Sequence, residues 1–193
     1  DAICGGFLSW ATLRQLAALG IDSSDLDGQC VTRLTVHSQR RSHTIALPAP
    51  AMGVSRRRLD SVMLGQAENS GATIRRGCTV KRVAHDHLII GDTECLPWDS
   101  LFLASGKHDA RGCARNIPPS GDPELGLRVR LLASPQVQAL LAGKIELHLF
   151  DRGYLGLVLQ ENGTLNACMA VRKSRLTDAG GRPARLFAQI ADA

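Results

Sequence analysis

Apolar residues recur along this chain at two spacings, one helical and one alternating. Between residues 10 and 19, Leu13, Leu16 and Ala17 fall on one face behind Ser9 and ahead of Gly20, which predicts a short helix with a serine N-cap and a glycine stop. Leu59, Val62, Met63 and Ala67 predict a second helix, capped by Ser55 and ended by Gly71. Between the two, the alternating runs 30–37 and 43–47 flank the polar stretch 38–42 and predict a β-hairpin, with Pro48 and Pro50 as its stop. Short strands are expected at 73–76, 79–85 and 87–90. The apolar run 100–104, bounded by Asp99 and Ser105, reads as a buried parallel strand. Residues 118–122 are rich in Pro, Gly and Ser and mark a crossing between domains. Beyond them lie four strands, at 126–132, 144–150, 153–160 and 164–171, with a helix at 135–141. The turns Asp151-Arg152-Gly153 and Glu161-Asn162-Gly163 join the last three strands as an antiparallel meander. Ile145, Leu147 and Leu149 are expected to share one apolar face with Leu155, Leu157 and Leu159, a face that a helix or a ligand must cover.

Composition narrows the class of protein. With 193 residues, 44% apolar and 21% charged, the chain is long enough to bury a core and too apolar to stay disordered. No segment approaches the roughly 18 unbroken apolar residues of a membrane span, so stable membrane insertion is not expected. The six cysteines are scattered without a Cys-x-x-Cys pair, which fits reduced thiols in a cytoplasmic enzyme better than a zinc ribbon or a disulfide scaffold. His85 and His87 flank Asp86 in a turn and read as a polar loop; no metal site is expected. His148, between apolar residues on a strand, is expected to meet solvent or a local hydrogen-bond partner rather than to act as a base. The formal charge of +5 gathers at Arg40-Arg41, at Arg56-Arg57-Arg58 and around Arg172, Lys173 and Arg175, and it suits anionic ligands. Aromatic residues make up only 4% and are not interleaved with these clusters, so a base-stacking surface for nucleic acid is not expected.

Three segments resemble parts of one flavoprotein family, which includes geranylgeranyl reductases, flavin-dependent halogenases and aromatic hydroxylases. Cys4-Gly5-Gly6-Phe7-Leu8-Ser9 is similar to a segment that passes close to the flavin. Ser55-Arg56-Arg57-Arg58-Leu59-Asp60 resembles the family's Arg-x-x-Leu/Phe-Asp helix start, whose arginine approaches the cofactor phosphates. Leu101-Phe102-Leu103-Ala104-Ser105-Gly106-Lys107 is similar to the strand ending in Ala-Thr-Gly that lies against the dinucleotide, with Ser105 in place of Thr. Their order and spacing match over about residues 1–115. No Gly-x-Gly-x-x-Gly occurs in the sequence, so the resemblance implies the middle portion of such an enzyme.

The resemblance implies an α/β fold with α+β character. It would comprise a partial Rossmann-like FAD-binding domain with a β-meander (residues 1–29 and 53–115) and an antiparallel-sheet substrate domain (30–52 and 116–193). It implies FAD as cofactor and NAD(P)H as reductant, with Gly5, Gly6, Arg56, Val80, Ala104, Ser105 and Gly106 as cofactor contacts. Cys4 would be a reaction participant beside the flavin. Tyr154, between Gly153 and Gly156, is the candidate substrate contact, and the substrate would be a small apolar or aromatic organic molecule acted on by a reductase or a monooxygenase. Lys107-His108-Asp109 departs from the Asp-Gly fingerprint of the hydroxylases, which favours the reductase-like branch. The competing reading is a non-enzymatic module whose basic clusters bind an acidic partner or nucleic acid.

Overall fold

The computed structural model describes all residues except Asp1, Ala2, Arg40, Lys107, Ile117, Pro119, Asp192 and Ala193; the Arg40 half of the first basic cluster and the lysine closing the third motif therefore lie outside the described residues. The chain divides into two units, Asp1–Ala72 with Gly121–Ala193, and Thr73–Ser120.

The first unit is built on a seven-stranded sheet. A short strand β1 (Phe7–Leu8) leads into helix α1 (Trp10–Ala18). The hydroxyl of Ser9 accepts from the Thr12 amide at 3.2 Å, as an N-cap should. At the other end Ile21 N–H bonds back to Leu16 O and Gly20 N–H to Ala17 O, with Gly20 at φ +77, a Schellman closure only glycine makes cheaply. Strands β2 (Gln29–Ser38) and β3 (Arg41–Gly53) form the expected hairpin, but β3 does not stop at the prolines. Val31 pairs with Ala51 and Arg33 with Ala46, so residues 47–50 bulge out opposite Thr32. Pro48 and Pro50 owe no ladder hydrogen bond inside that bulge, which is why the strand survives them. Helix α2 (Arg56–Asn69) follows, with the Ser55 hydroxyl accepting from the Arg58 amide at 3.1 Å.

In the second unit β4 (Val80–Val83), β5 (His87–Ile90) and β6 (Glu94–Pro97) form an antiparallel meander. Residues 73–76 and 100–104, both expected as strands, form none. Phe102 is 92% exposed and Leu103 50%. A parallel strand needs a parallel neighbour, and the meander, the only sheet among the described residues of this unit, has no parallel pair to offer.

The chain then re-enters the first unit through β7 (Glu124–Leu132), α3 (Pro135–Leu141), β8 (Lys144–Phe150), β9 (Gly153–Leu159) and β10 (Thr164–Arg172), ending in α4 (Lys173–Asp178) and α5 (Pro183–Ala191). Strand order is β1-β3-β2-β8-β9-β10-β7. Neighbours are antiparallel except β2 and β8, which run parallel from Arg33↔Lys144 to Ser38↔Leu149. The expected meander of β8, β9 and β10 is present.

The expected single apolar face is not. The two-residue connection Asp151-Arg152 pairs Phe150 with Gly153, so odd-numbered β8 residues lie opposite even-numbered β9 residues. Ile145, Leu147 and Leu149 therefore face one side with Tyr154 and Gly156, while Leu155, Leu157 and Leu159 face the other with Glu146 and His148. Helices cover the second side. Leu157 and Leu159 pack with Val137 and Leu141 of α3, and Leu155 joins Met169, Val171, Leu186 and Ile190. Leu26 and Leu186 are fully buried, in two separate clusters of this unit.

Candidate functional site

The segment Cys4-Gly5-Gly6 enters β1 held by side chains from the distant β9–β10 hairpin. Asn166 donates from Nδ2 to the carbonyls of Cys4 (3.1 Å) and Gly5 (2.8 Å), and Gln160 donates to Val54 O at 3.2 Å. Both amides are buried, at 1% and 2% exposure. The Gly6 carbonyl accepts from Val54 N–H at 2.9 Å. Gly6 sits at φ +68, and a Cβ there would fall 2.0 Å from Gln160 Nε2, so this glycine is required by backbone shape and by packing together. Gly5 is different, because a Cβ on it would meet nothing within 4 Å. The first glycine thus borders open space and the second is locked into the protein.

The same hairpin reaches the start of α2. Glu161, in the turn between β9 and β10, accepts from the Ser55 amide at 2.9 Å and from the Ser55 hydroxyl, with Arg130 Nη2 at 3.9 Å. Burial alone would push the Glu161 carboxyl up, but the hydrogen bonds from Ser55 and the charge of Arg130 outweigh it and hold the group below its ordinary range. Its negative charge also complements the positive end of α2. One β-hairpin therefore fixes both the glycine segment, through Asn166, and the N-terminus of the arginine-bearing helix, through Glu161. Arg56, the first residue of α2, is half-exposed and pairs with Asp60 one turn on, Nε at 2.9 Å and Nη2 at 2.8 Å.

A cavity of about 330 Å³ opens on the side of the sheet facing away from α3 and α5, and among the described residues no helix contributes to its lining. Cys4 and Gly5 border it at one end, Tyr154 stands on its β9 wall, and Ile145, Leu147 and Cys168 contribute to an otherwise largely apolar lining. Gly6 N–H donates to Cys4 Sγ at 3.4 Å. Burial pushes the Cys168 thiol up, and Cys4 adds to the same direction, so Cys168 stays protonated at neutral pH. Three sequence candidates, Cys4, Gly5 and Tyr154, thus border one cavity. Arg56 does not line it. Val80 (43% exposed, on β4), Ala104, Ser105 and Gly106 belong to the second unit, where the Ser105 hydroxyl donates to His108 O at 2.7 Å.

Sequence reasoning missed a polar cluster on the opposite side of the sheet. Glu146, only 6% exposed, has Lys144 Nζ 2.7 Å from Oε1, with His148 Nε2 at 3.2 Å and His37 Nε2 at 3.6 Å from Oε2. The hydrogen bond from His148 foremost, then Lys144 and the charge of His37, hold the Glu146 carboxyl at about 2 against the cost of burial. The parallel register His37↔His148 stacks the two imidazoles at 4.3 Å. No local pattern announces this, since β2 and β8 lie more than a hundred residues apart. His148 does find the local partner expected of it.

No family model matches the chain, and no curated protein is similar to it in sequence. Solved structures are similar in fold. The flavin-dependent brominase Bmp2 overlays with a TM-score of 0.73 at 13% identity, covering 96% of this chain and 50% of that one. A geranylgeranyl bacteriochlorophyll reductase-like protein from Thermoplasma acidophilum gives 0.68 at 14% identity, covering 98% and 51%. The 2-methyl-3-hydroxypyridine-5-carboxylic acid oxygenase gives 0.60 at 15% identity, covering 87% and 48%. The chain therefore has the mixed α/β fold of these structures, and it spans about half their length.

Proposed function

We propose that this chain is the central portion of an FAD-dependent oxidoreductase that acts on a small apolar or aromatic molecule, with NAD(P)H as reductant and the cytoplasm as its location. The observation that carries this reading is the apolar cavity that Cys4, Gly5 and Tyr154 border together, on a fold shared with a flavin-dependent brominase. The residues fit a planar flavin ring in two respects. A Cβ at Gly5 would meet nothing within 4 Å, so the space beside it is open to a ring, and the cavity offers apolar surface with the Tyr154 ring.

When bound, FAD supplies the two-electron chemistry, passing reducing equivalents from the nicotinamide towards substrate or oxygen. The protein's part is placement. Asn166 holds the Cys4 and Gly5 carbonyls and Gln160 holds the Val54 carbonyl next to Gly6, so that the chain at Gly5 would meet a flavin in one fixed position. Arg56, oriented by Asp60 at the head of α2, supplies a cation for the cofactor phosphates. Tyr154 packs against the substrate, and Cys4 touches the reacting centre. The apolar lining excludes water from it.

The test uses the protein at its full length. It should carry flavin absorbance bands, and Gly5→Leu should abolish flavin retention while Tyr154→Ala leaves the flavin in place and raises KM. Anaerobic turnover then separates the two chemistries, since a monooxygenase stalls without oxygen and a reductase does not. A full-length protein unable to take up flavin contradicts the proposal.

A further inference from the structure

Glu146, His37 and His148 each offer one ligand atom, and these three atoms lie within 4.8 Å of one another. Four-coordinate zinc, with bonds of about 2.0–2.2 Å, requires ligand atoms roughly 3.3 Å apart. The two carboxylate-to-imidazole separations, 3.2 and 3.6 Å, already bracket that value. The scaffold is firm as well. His37 and His148 are register partners on the parallel β2–β8 pair, and Thr35 and Glu146 are partners two residues earlier, so donors come from the sheet rather than from loops. His37 Nε2 is buried without a hydrogen-bond partner, an orphan that native interiors rarely tolerate. Both imidazoles also border a second cavity, of about 390 Å³, whose wall includes Gln39, Phe150, Arg175 and Gln189.

We propose that His37 Nε2, Glu146 Oε2 and His148 Nε2 form a three-ligand site for a borderline divalent transition-metal ion of the zinc class, with its fourth position open to the 390 Å³ cavity. Two imidazoles and one carboxylate select zinc, copper or nickel over magnesium and calcium, which demand oxygen ligands throughout. A water or a small anion completes the coordination, and Arg175 on the cavity wall suits the anion. Binding requires the stacked rings to tilt, because parallel imidazoles 4.3 Å apart cannot both aim a lone pair at one centre. Lys144 holds the other carboxylate oxygen, Oε1, and its charge opposes the incoming cation. Ile145 and Leu147 alternate with the ligands along β8 and face the Cys4–Tyr154 cavity, so this site stands independently of the flavin reading.

The test is calorimetric titration of the metal-stripped protein with Zn²⁺, together with the visible spectrum after Co²⁺ substitution. One equivalent should bind, with tetrahedral d–d bands and no thiolate charge-transfer absorption. His148→Ala and Glu146→Gln should each weaken binding at least about tenfold, since even outer-sphere partners of a ligand contribute that much. His37→Ala should do the same. Lys144→Met, which keeps the fold's packing and frees the carboxylate, should tighten binding, a gain that no purely structural role of the cluster produces. Four results overturn the proposal: no saturable uptake, thiolate absorption placing the metal on cysteines, histidine variants with unchanged affinity, or a Lys144→Met variant that does not bind more tightly.

Discussion

Gly6 and Glu161 carry much of the site's architecture with few atoms. Replacing Gly6 by Ala forces an L-residue into φ +68 and drives its Cβ onto Gln160, so Gly6→Ala should destabilise the protein by about 2 kcal/mol or more. A urea titration measures this as a lowered midpoint. Glu161 makes a second prediction, in pH. Its carboxyl is held below the ordinary range in the folded protein, so its contribution is complete above the unfolded value of about 4.3 and is lost as pH falls through the lower folded value. Wild-type stability should therefore decline below about pH 4.3 more steeply than that of Glu161→Gln. The variant should lose stability at neutral pH, where Ser55 no longer meets a charged acceptor. Denaturation curves at neutral and acidic pH, compared between the two proteins, check the sign.

At the level of elements, local signals were legible and distant pairings were not. Ser9 and Ser55 cap their helices as expected, and α3 spans the expected residues behind a Ser134 cap that was not among those expected. Asn162-Gly163 marks its hairpin because both residues adopt positive φ, at 59 and 67. The parallel β2–β8 pair, by contrast, depends on a partner no window contains, and with it the Glu146 cluster stayed hidden. The side on which β9 presents its leucines depended on a two-residue turn rather than on alternation within either strand. Helix α5 was readable in principle, since Pro183 opens it and Leu186 and Ile190 follow at helical spacing. Its packing gives another prediction. Leu186 is fully buried between α5 and the sheet, so Leu186→Ala should cost about 2–5 kcal/mol, read as a drop in the denaturation midpoint. The candidate cavity was partly legible for the same reason as the fold. Cys4-Gly5 and Tyr154 are conspicuous by residue type, whereas Asn166 and Gln160, which hold the segment in place, look like ordinary strand residues.

For the molecule as a whole, a formal charge of +5 does not by itself make a nucleic-acid surface. Arg56, Arg75, Arg115, Arg152 and Arg172 each pair with a carboxylate, and Lys81 and Lys144 do likewise. Saturable binding to duplex DNA at physiological salt is accordingly not expected, and an electrophoretic mobility assay checks it. The apolar cavity bordered by Cys4, Gly5 and Tyr154 is instead the place where the proposed flavin would lie. That assignment meets its most direct test in the absorbance spectrum of the full-length protein, purified with and without added FAD and compared with its Gly5→Leu variant. The account predicts flavin bands in the wild-type protein and their loss in the variant; a colourless wild-type protein that takes up no FAD, or a variant that retains it unchanged, would contradict it.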